Sequence, residues 1–404
     1  MNSSQIETSK AALGADAVEM LHQVHRDALW VLENLGVSCR RPEIVNAFSR
    51  FEESGAAIIH GDRIYLMEDL VLRSLKTVPG IADFFVARNR FFIGGTAPYV
   101  YDDLKRKGGL TPSAGHVIRI AKMADKSKVL AGTGRGVKIK DDVLQMSLLS
   151  EYCAKPLCLA VSGGAALERA AEIHNARRNV MVDFRLTRPP LTVSDTIAID
   201  FYNGVRAGLP VMATSMPLAG VSAPYCHSGV LTVAHAEALF GICAAQIINP
   251  GIVCVHGGSP SIADPRIDYN PNYGLISHSL LNILMAHLNM MLDIPTCQSA
   301  GMTHEAHPTP MALADARMGL ALCRKYGVHM IRHAFGFLRY GVDFSFRKME
   351  RVVAIAAEAG PDDAPEATMP VYDERGMAAI RRNGLGTYMD DPLTTANLGN
   401  VFTD

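Results

Sequence analysis

Apolar positions along this chain follow two different periods, and the change between them divides it. Near the start Leu21, Val24, Ala28, Leu29, Leu32 and Leu35 recur three or four apart, the spacing of one helix face, and Gly36 supplies a stop. Two short apolar runs on either side of Gly61-Asp62 read as a hairpin around a tight turn. From about residue 90 the pattern becomes short apolar runs separated by helix-length amphipathic stretches. The runs are 91–93, 129–131, 157–161, a diffuse one within 180–193, 211–214, 252–255, 296–299 and 329–333. Eight strand–helix units suffice to close a parallel barrel. The expectation is an α/β chain: a (β/α)8 TIM-type barrel over 86–345, an N-terminal helical and hairpin cap over 1–85, and a short C-terminal helix and tail over 346–404.

Composition narrows what such a barrel does. With 404 residues, 49% of them hydrophobic, there is material for one large core. Lys plus Arg (39) balances Asp plus Glu (40), so no net field favours nucleic acid or an anionic membrane surface. The first residues lack the basic-then-apolar layout of a leader, and no unbroken apolar run reaches the ~18 residues of a membrane span. Eight cysteines are scattered, several inside apolar runs, which is how reduced buried thiols look and points to the cytoplasm.

Several runs end in Gly- or Pro-rich turns: Gly132-Thr133-Gly134, Ser162-Gly163-Gly164, Met216 to Gly220 and Gly257 to Pro260. In a parallel barrel those carboxyl ends form the active face. Gly132 to Gly136 lacks the full dinucleotide fingerprint and reads as a tight strand-to-helix turn. Cys297, His304, Glu305 and His307 resemble a loop-borne zinc set, but the two histidines stand three apart and the set is incomplete. The favoured reading has these histidines bonding to backbone or substrate, with no tightly bound metal. His333 closes the last run and His256 closes its own, with Asp264 eight residues on. Tyr99, Tyr101, Tyr269, Tyr273, Phe335 and Phe337 fall in loops, where several ring faces around one pocket would hold a methylated ammonium. Glu237 reads as a helix residue facing the barrel mouth or in an ion pair. No lysine stands at a strand tip, which argues against Schiff-base chemistry.

Longer motifs carry a resemblance. They are Gly208-Leu-Pro-Val211, Met216-Pro-Leu-Ala-Gly220, Ser222-Ala-Pro224, His235-Ala-Glu-Ala-Leu239, Gln246 with Asn249-Pro-Gly251, Gly257 to Asp264, Leu292-Asp-Ile-Pro295, Asp315-Ala316 and His333 to Leu338. With Leu21-His-Gln-Val-His25, Leu32 to Val37 and Asn383 to Tyr388, the chain resembles the trimethylamine methyltransferase family over nearly its whole length. The resemblance implies a (β/α) barrel that moves a methyl group from a methylamine or quaternary amine to the cobalt of a separate corrinoid protein. The chain has no pyrrolysine, whose place would fall near 297–304, so it resembles the branch that demethylates quaternary amines such as glycine betaine. It differs from that branch in having no arginine after Ile294-Pro295, and His256-Gly257 stands where the family has Tyr-Gly.

On this reading the substrate is a small methylated amine, the partner is a corrinoid protein, and a homo-oligomer is expected. Tyr99, Tyr101 and Phe335 would form part of a cage, with His256 and His304 also touching substrate. Asp264 would supply negative charge, and His333 would bond the substrate, or act as the acid if the donor were a tertiary amine or methyl ether. Pro217, Gly220 and Gly257 would face the corrinoid. A zinc-dependent methyltransferase using Cys297, His304 and His307, and a non-catalytic amine-binding homologue, are the alternatives.

Overall fold

Each of the eight apolar runs carries a strand, and the strands pair in chain order until the last meets the first. In a computed structural model, which describes residues 1–80, 90–328 and 330–398, they are β1 (Arg90–Ile93), β2 (Leu130–Thr133), β3 (Leu157–Leu159), β4 (Val180–Phe184), β5 (Val211–Ser215), β6 (Cys254–Gly258), β7 (Thr296–Ser299) and β8 (Met330–Arg332). All eight pairings are parallel, β8 to β1 included. Strands covered on both faces read as continuous apolar runs, which is why the runs mark them. His329, expected at the start of the last strand, and the expected boundary between 85 and 86 lie outside the described residues.

The helices alternate with the strands. Four precede the barrel: α1 (Ser3–Leu13), α2 (Ala15–Asn34), α3 (Pro42–Ser49) and α4 (Glu68–Lys76). The barrel adds α5 (Ala114–Lys126), α6 (Asp142–Tyr152), α7 (Gly164–Arg177), α8 (Asp195–Arg206), α9 (His227–Ile248), α10 (Ile276–Met291), α11 (Pro310–Lys325) and α12 (Phe346–Glu358), and the tail carries α13 (Arg375–Asn383) and α14 (Pro392–Asn397). Helix α12 follows β8 as the eighth helix of the barrel, so the barrel continues beyond residue 345.

Helix α9 is apolar nearly all round because it is covered nearly all round: β5 and β6 lie beneath it, and α2 and α4 lie over it. Among the described residues it is the one helix long and apolar enough to cross a membrane, and 94% of that apolar window is buried inside the protein.

The barrel lumen is set by strand alternation. Phe92, Cys158, Met181, Met212, Val255, Cys297 and Met330 pack together as a layer separate from the larger core outside the strands. Side chains alternate along a strand, so residues two positions on also point inward, one layer nearer the carboxyl ends. Those residues are Asp183, Thr214, Gly257, Ser299 and Arg332. The lumen changes from apolar to polar between these two layers, and the second is the floor of the site.

Candidate functional site

Arg332 crosses the lumen from β8 to β4, on the far side of the barrel. Its Nη1 donates to Asp183 Oδ2 at 2.8 Å and its Nη2 to Thr214 Oγ1 at 3.4 Å. Both charged side chains are almost fully buried. Burial alone would raise the Asp183 pKa, but the Arg332 and Arg185 charges outweigh it and hold the carboxyl below its usual range. Two backbone positions make room for this pair. A Cβ on Gly94 would stand 2.6 Å from the Arg332 Cβ, and one on Gly257 would stand 2.4 Å from Thr214 Oγ1. Side chains at either place would push the arginine or its threonine aside.

The pair leaves two atoms unused. Asp183 Oδ1 and Arg332 Nε are buried without a hydrogen-bond partner. Asp183 also lines a cavity of about 280 Å³ at the strand tips, together with Thr96, Arg135, Ser162 and Arg185. Arg135 is committed: its guanidinium bonds Asp142, Gln145 and the Ala160 carbonyl. Arg185 is exposed and has no ion-pair partner among the described residues. A larger hollow, of about 410 Å³ between α3 and α8, lies on the barrel flank away from this chemistry.

His333 follows β8 and stands beside the pair. Its Nδ1 is 2.6 Å from Ser299 Oγ, and that hydroxyl donates to the Gly258 carbonyl at 3.0 Å. A serine has one proton to give, so the network assigns the Nδ1–H tautomer to His333 and leaves Nε2 an acceptor. Burial, then the Arg332 and Arg185 charges, push its pKa well below the ordinary histidine value. A ring held neutral in this way offers its Nδ1–H to Ser299 and presents Nε2 as an acceptor.

A second buried cluster comes from the loop after β6 and the start of α10. The His278 ring meets Tyr273 edge-on at 4.8 Å, and its Nε2 lies 3.4 Å from Ser259 Oγ. Burial pushes the His278 pKa down to about 3. Burial raises the Tyr273 pKa. Arg332 and Arg185 act electrostatically on both His333 and Tyr273, so the two groups share one field.

The other expected site residues fall elsewhere. His256 lies on β6 between two lumen-facing positions and therefore points outward, where its Nε2 is 3.2 Å from His235 Nδ1 on α9. Tyr99 and Tyr101 sit on a hairpin beyond β1, Tyr99 exposed and Tyr101 with its hydroxyl 2.8 Å from His307 Nδ1. Phe335 packs at 6.0 Å on Phe91, the residue of β1 that faces away from the lumen. These three rings do not converge on one cage. Asp264 is taken by Arg266 through both carboxylate oxygens. His304 Nδ1 is 3.2 Å from the Tyr273 carbonyl, at the edge of the mouth. The Pro217 carbonyl accepts from Ser261 N, and Gly220 packs under the Tyr225 ring. Of the candidate zinc set, Cys297 is in the apolar lumen layer while His304 and His307 bond in loops above it, so the three do not fit a metal. Asp183, Arg332, Arg185, Ser299 and His278 were missed, and the one signal for the first was a charge interrupting the diffuse fourth run.

Glu237 is on α9 as expected, but it joins no ion pair among the described residues. Leu191 N donates to Oε1 at 2.6 Å and Ser215 Oγ to Oε2 at 2.5 Å, tying the loop after β4 to the tip of β5. Burial raises its pKa to about 7. The folded state therefore holds this proton more tightly than the unfolded chain, and stability falls as pH rises from the ordinary carboxylate range to about 7. Glu237→Gln keeps an acceptor and removes the titration. Urea unfolding should show the variant gaining about 1–3 kcal/mol on the parent between pH 5 and pH 8. A stability difference that stays flat over that interval contradicts the assignment.

Comparisons with known sequences agree on one family. A sequence profile described as trimethylamine methyltransferase (MTTB) matches residues 157–388. Glycine betaine methyltransferase of Desulfitobacterium hafniense (strain Y51) is 24% identical over 362 residues, covering 82% of this chain and 73% of that protein. Trimethylamine methyltransferase MttB of Desulfitobacterium hafniense (strain DSM 10664 / DCB-2) is 22% identical over 359 residues, 82% of this chain and 71% of that one. Trimethylamine methyltransferase MttB1 of Methanosarcina mazei is 29% identical over 220 residues, 53% of this chain and 43% of that protein.

Proposed function

This chain belongs to the trimethylamine methyltransferase family and is a methyltransferase; from that premise we propose that it takes a methyl group from a small quaternary ammonium compound and delivers it to the cobalt of a corrinoid carried by a second protein. The observation that carries the reading is Asp183, a residue that borders a cavity at the strand tips and whose buried, ionised carboxylate keeps one oxygen unpartnered. A quaternary ammonium has no N–H to donate, so it is held by charge and by ring faces. Asp183 supplies the charge. On this reading Tyr273 and the neutral rings of His278 and His333 would offer ring faces that carry no charge of their own.

Arg185 favours a donor that also carries a carboxylate. It lines the same cavity as Asp183 and has no ion-pair partner among the described residues. A betaine-type zwitterion would set its anion on Arg185 and its ammonium toward Asp183. The arginine missing after Ile294-Pro295 is thus answered by one that follows β4.

The transfer breaks the methyl C–N bond and leaves both electrons on nitrogen, which departs as a neutral tertiary amine. The reduced corrinoid, as methyl acceptor, supplies the electron pair for the new carbon–cobalt bond. No proton moves, so the low histidine pKa values suit the step. The barrel binds the donor, orients the methyl outward and excludes water. An acceptor from outside also suits the thiols: burial pushes Cys158 well up and Cys297 to about 11, so neither is an activated nucleophile.

The test is a panel of donors, with and without a carboxylate, incubated with purified protein and reduced cobalamin. Methylcobalamin should form with at least one quaternary amine. Arg185→Gln should raise KM for carboxylated donors about 10-fold or more, the size of a lost charged hydrogen bond, and leave tetramethylammonium unaffected. No methylation from any donor, with calorimetric binding intact, would instead favour a non-catalytic amine binder.

A further inference from the structure

The Lys348 amine lies outside the cavity, in the first turn of α12, and is fully buried. Its Nζ donates to the Phe337 carbonyl at 2.8 Å and the Ala334 carbonyl at 3.2 Å. Both belong to the turn that begins with His333. A lysine is an expensive residue to bury, and its charge at a helix N-terminus meets the positive end of the helix dipole. Donor counting explains how it is tolerated. A neutral amine has two N–H groups, and two carbonyls receive them. Burial lowers its pKa to about 7 despite the opposing charge of Asp315, whose carboxylate accepts from Thr303 Oγ1 at 2.6 Å.

The turn it holds is under strain. His333 has a φ of 78°, in the left-handed region, which costs a residue with a Cβ about 1–3 kcal/mol and persists only when its surroundings over-determine it. The neighbours do so from several directions. Ser345 N donates to the Gly336 carbonyl at 2.8 Å, and the Phe337 ring stands edge-on to the His333 ring at 6.1 Å. Lys348 closes the set by pinning the carbonyls on either side of Gly336 to one atom.

We propose that Lys348 is a positioning residue for His333: by clamping the Ala334 and Phe337 carbonyls it holds the backbone conformation that sets the imidazole against Ser299 at the donor cavity. The inference rests on the reading that His333 lines the donor site, and the experiment separates the two. Lys348→Met keeps the stem volume and removes both donors. Its donor KM should rise about 10-fold while kcat changes much less, because the binding geometry is lost and the acceptor side is untouched. The double variant with His333→Ala should be no worse than His333→Ala alone, the non-additivity of two residues acting through one. A KM unchanged in His333→Ala sinks the donor-site reading. A KM raised in His333→Ala but not in Lys348→Met sinks the clamp. Should Lys348→Met not accumulate folded, Lys348→Gln is measured instead; its two N–H donors sit on a stem too short to span both carbonyls, so KM should again rise, and an unchanged KM overturns the proposal.

Discussion

Asp183→Ala is expected to abolish methyl transfer and to cost the fold about 3–5 kcal/mol, because it strands the Arg332 charge inside the barrel. Arg332 is fully buried, and Asp183 is its one ion-pair partner among the described residues. Without the carboxylate the guanidinium keeps its desolvation cost and loses its compensation. The double variant Asp183→Ala with Arg332→Met separates stability from function. Methionine fills much of the arginine stem and carries no charge into the lumen, whose next layer already holds Met181, Met212 and Met330. Unfolding free energy should therefore recover most of the loss while turnover stays absent, since the negative charge proposed to face the ammonium is gone. A double variant that regains activity along with stability would show that Asp183 serves the fold alone and that the ammonium is held elsewhere.

The barrel could be read from the sequence and most of its site could not, and the two results have one physical origin. Strands buried on both faces announce themselves as apolar runs, so each of the eight runs carries a strand. The run within 180–193 was diffuse because Asp183 interrupts it and Arg185 follows; the residues that give β4 its chemistry blur the pattern that identifies a strand. Parity decided the rest. His256 and His333 both stand at the end of an apolar run, yet Val255 and Gly257 face the lumen and turn His256 outward, toward α9. His333 lies past the last strand residue in a left-handed turn that no periodicity foretells. The aromatic candidates are scattered for a related reason. Tyr99 and Tyr101 belong to a hairpin inserted after β1, and Phe335 packs outside the strands, so loop membership alone did not bring them to one pocket. Tyr273 and His278, by contrast, are fixed by the loop after β6 and the start of α10, and their rings meet edge-on.

Acid should unfold this protein near pH 5, well above the pH at which its carboxylate ion pairs are lost. His25, His235, His256, His278 and His333 are all buried and held neutral, His25 with a pKa of about 4, His256 and His278 near 3, the other two well below the ordinary value. Three of them form a chain, His25 Nδ1 to His235 Nε2 at 3.0 Å and His235 Nδ1 to His256 Nε2 at 3.2 Å, which ties α2 and α9 to the barrel wall. Each contact shares one proton; a second would remove the acceptor and set a charge against the neighbouring ring. In the unfolded chain every one of these rings takes a proton at about pH 6.5, so unfolding binds protons and stability drops as pH falls below that value. At pH 5 each contributes a loss of roughly 2 kcal/mol, together on the order of 10 kcal/mol, which is comparable to the whole stability of an ordinary domain. Glu237 works the other way, since it gains its proton more readily in the folded state, but one carboxyl offsets only part of the loss. Circular dichroism against pH should show one cooperative transition, moved to lower pH by His25→Gln, which removes one titrating ring at the end of the chain. A protein still folded at pH 4 would mean that these rings accept protons in place, and that the neutrality assigned to His333 at the donor cavity is wrong as well.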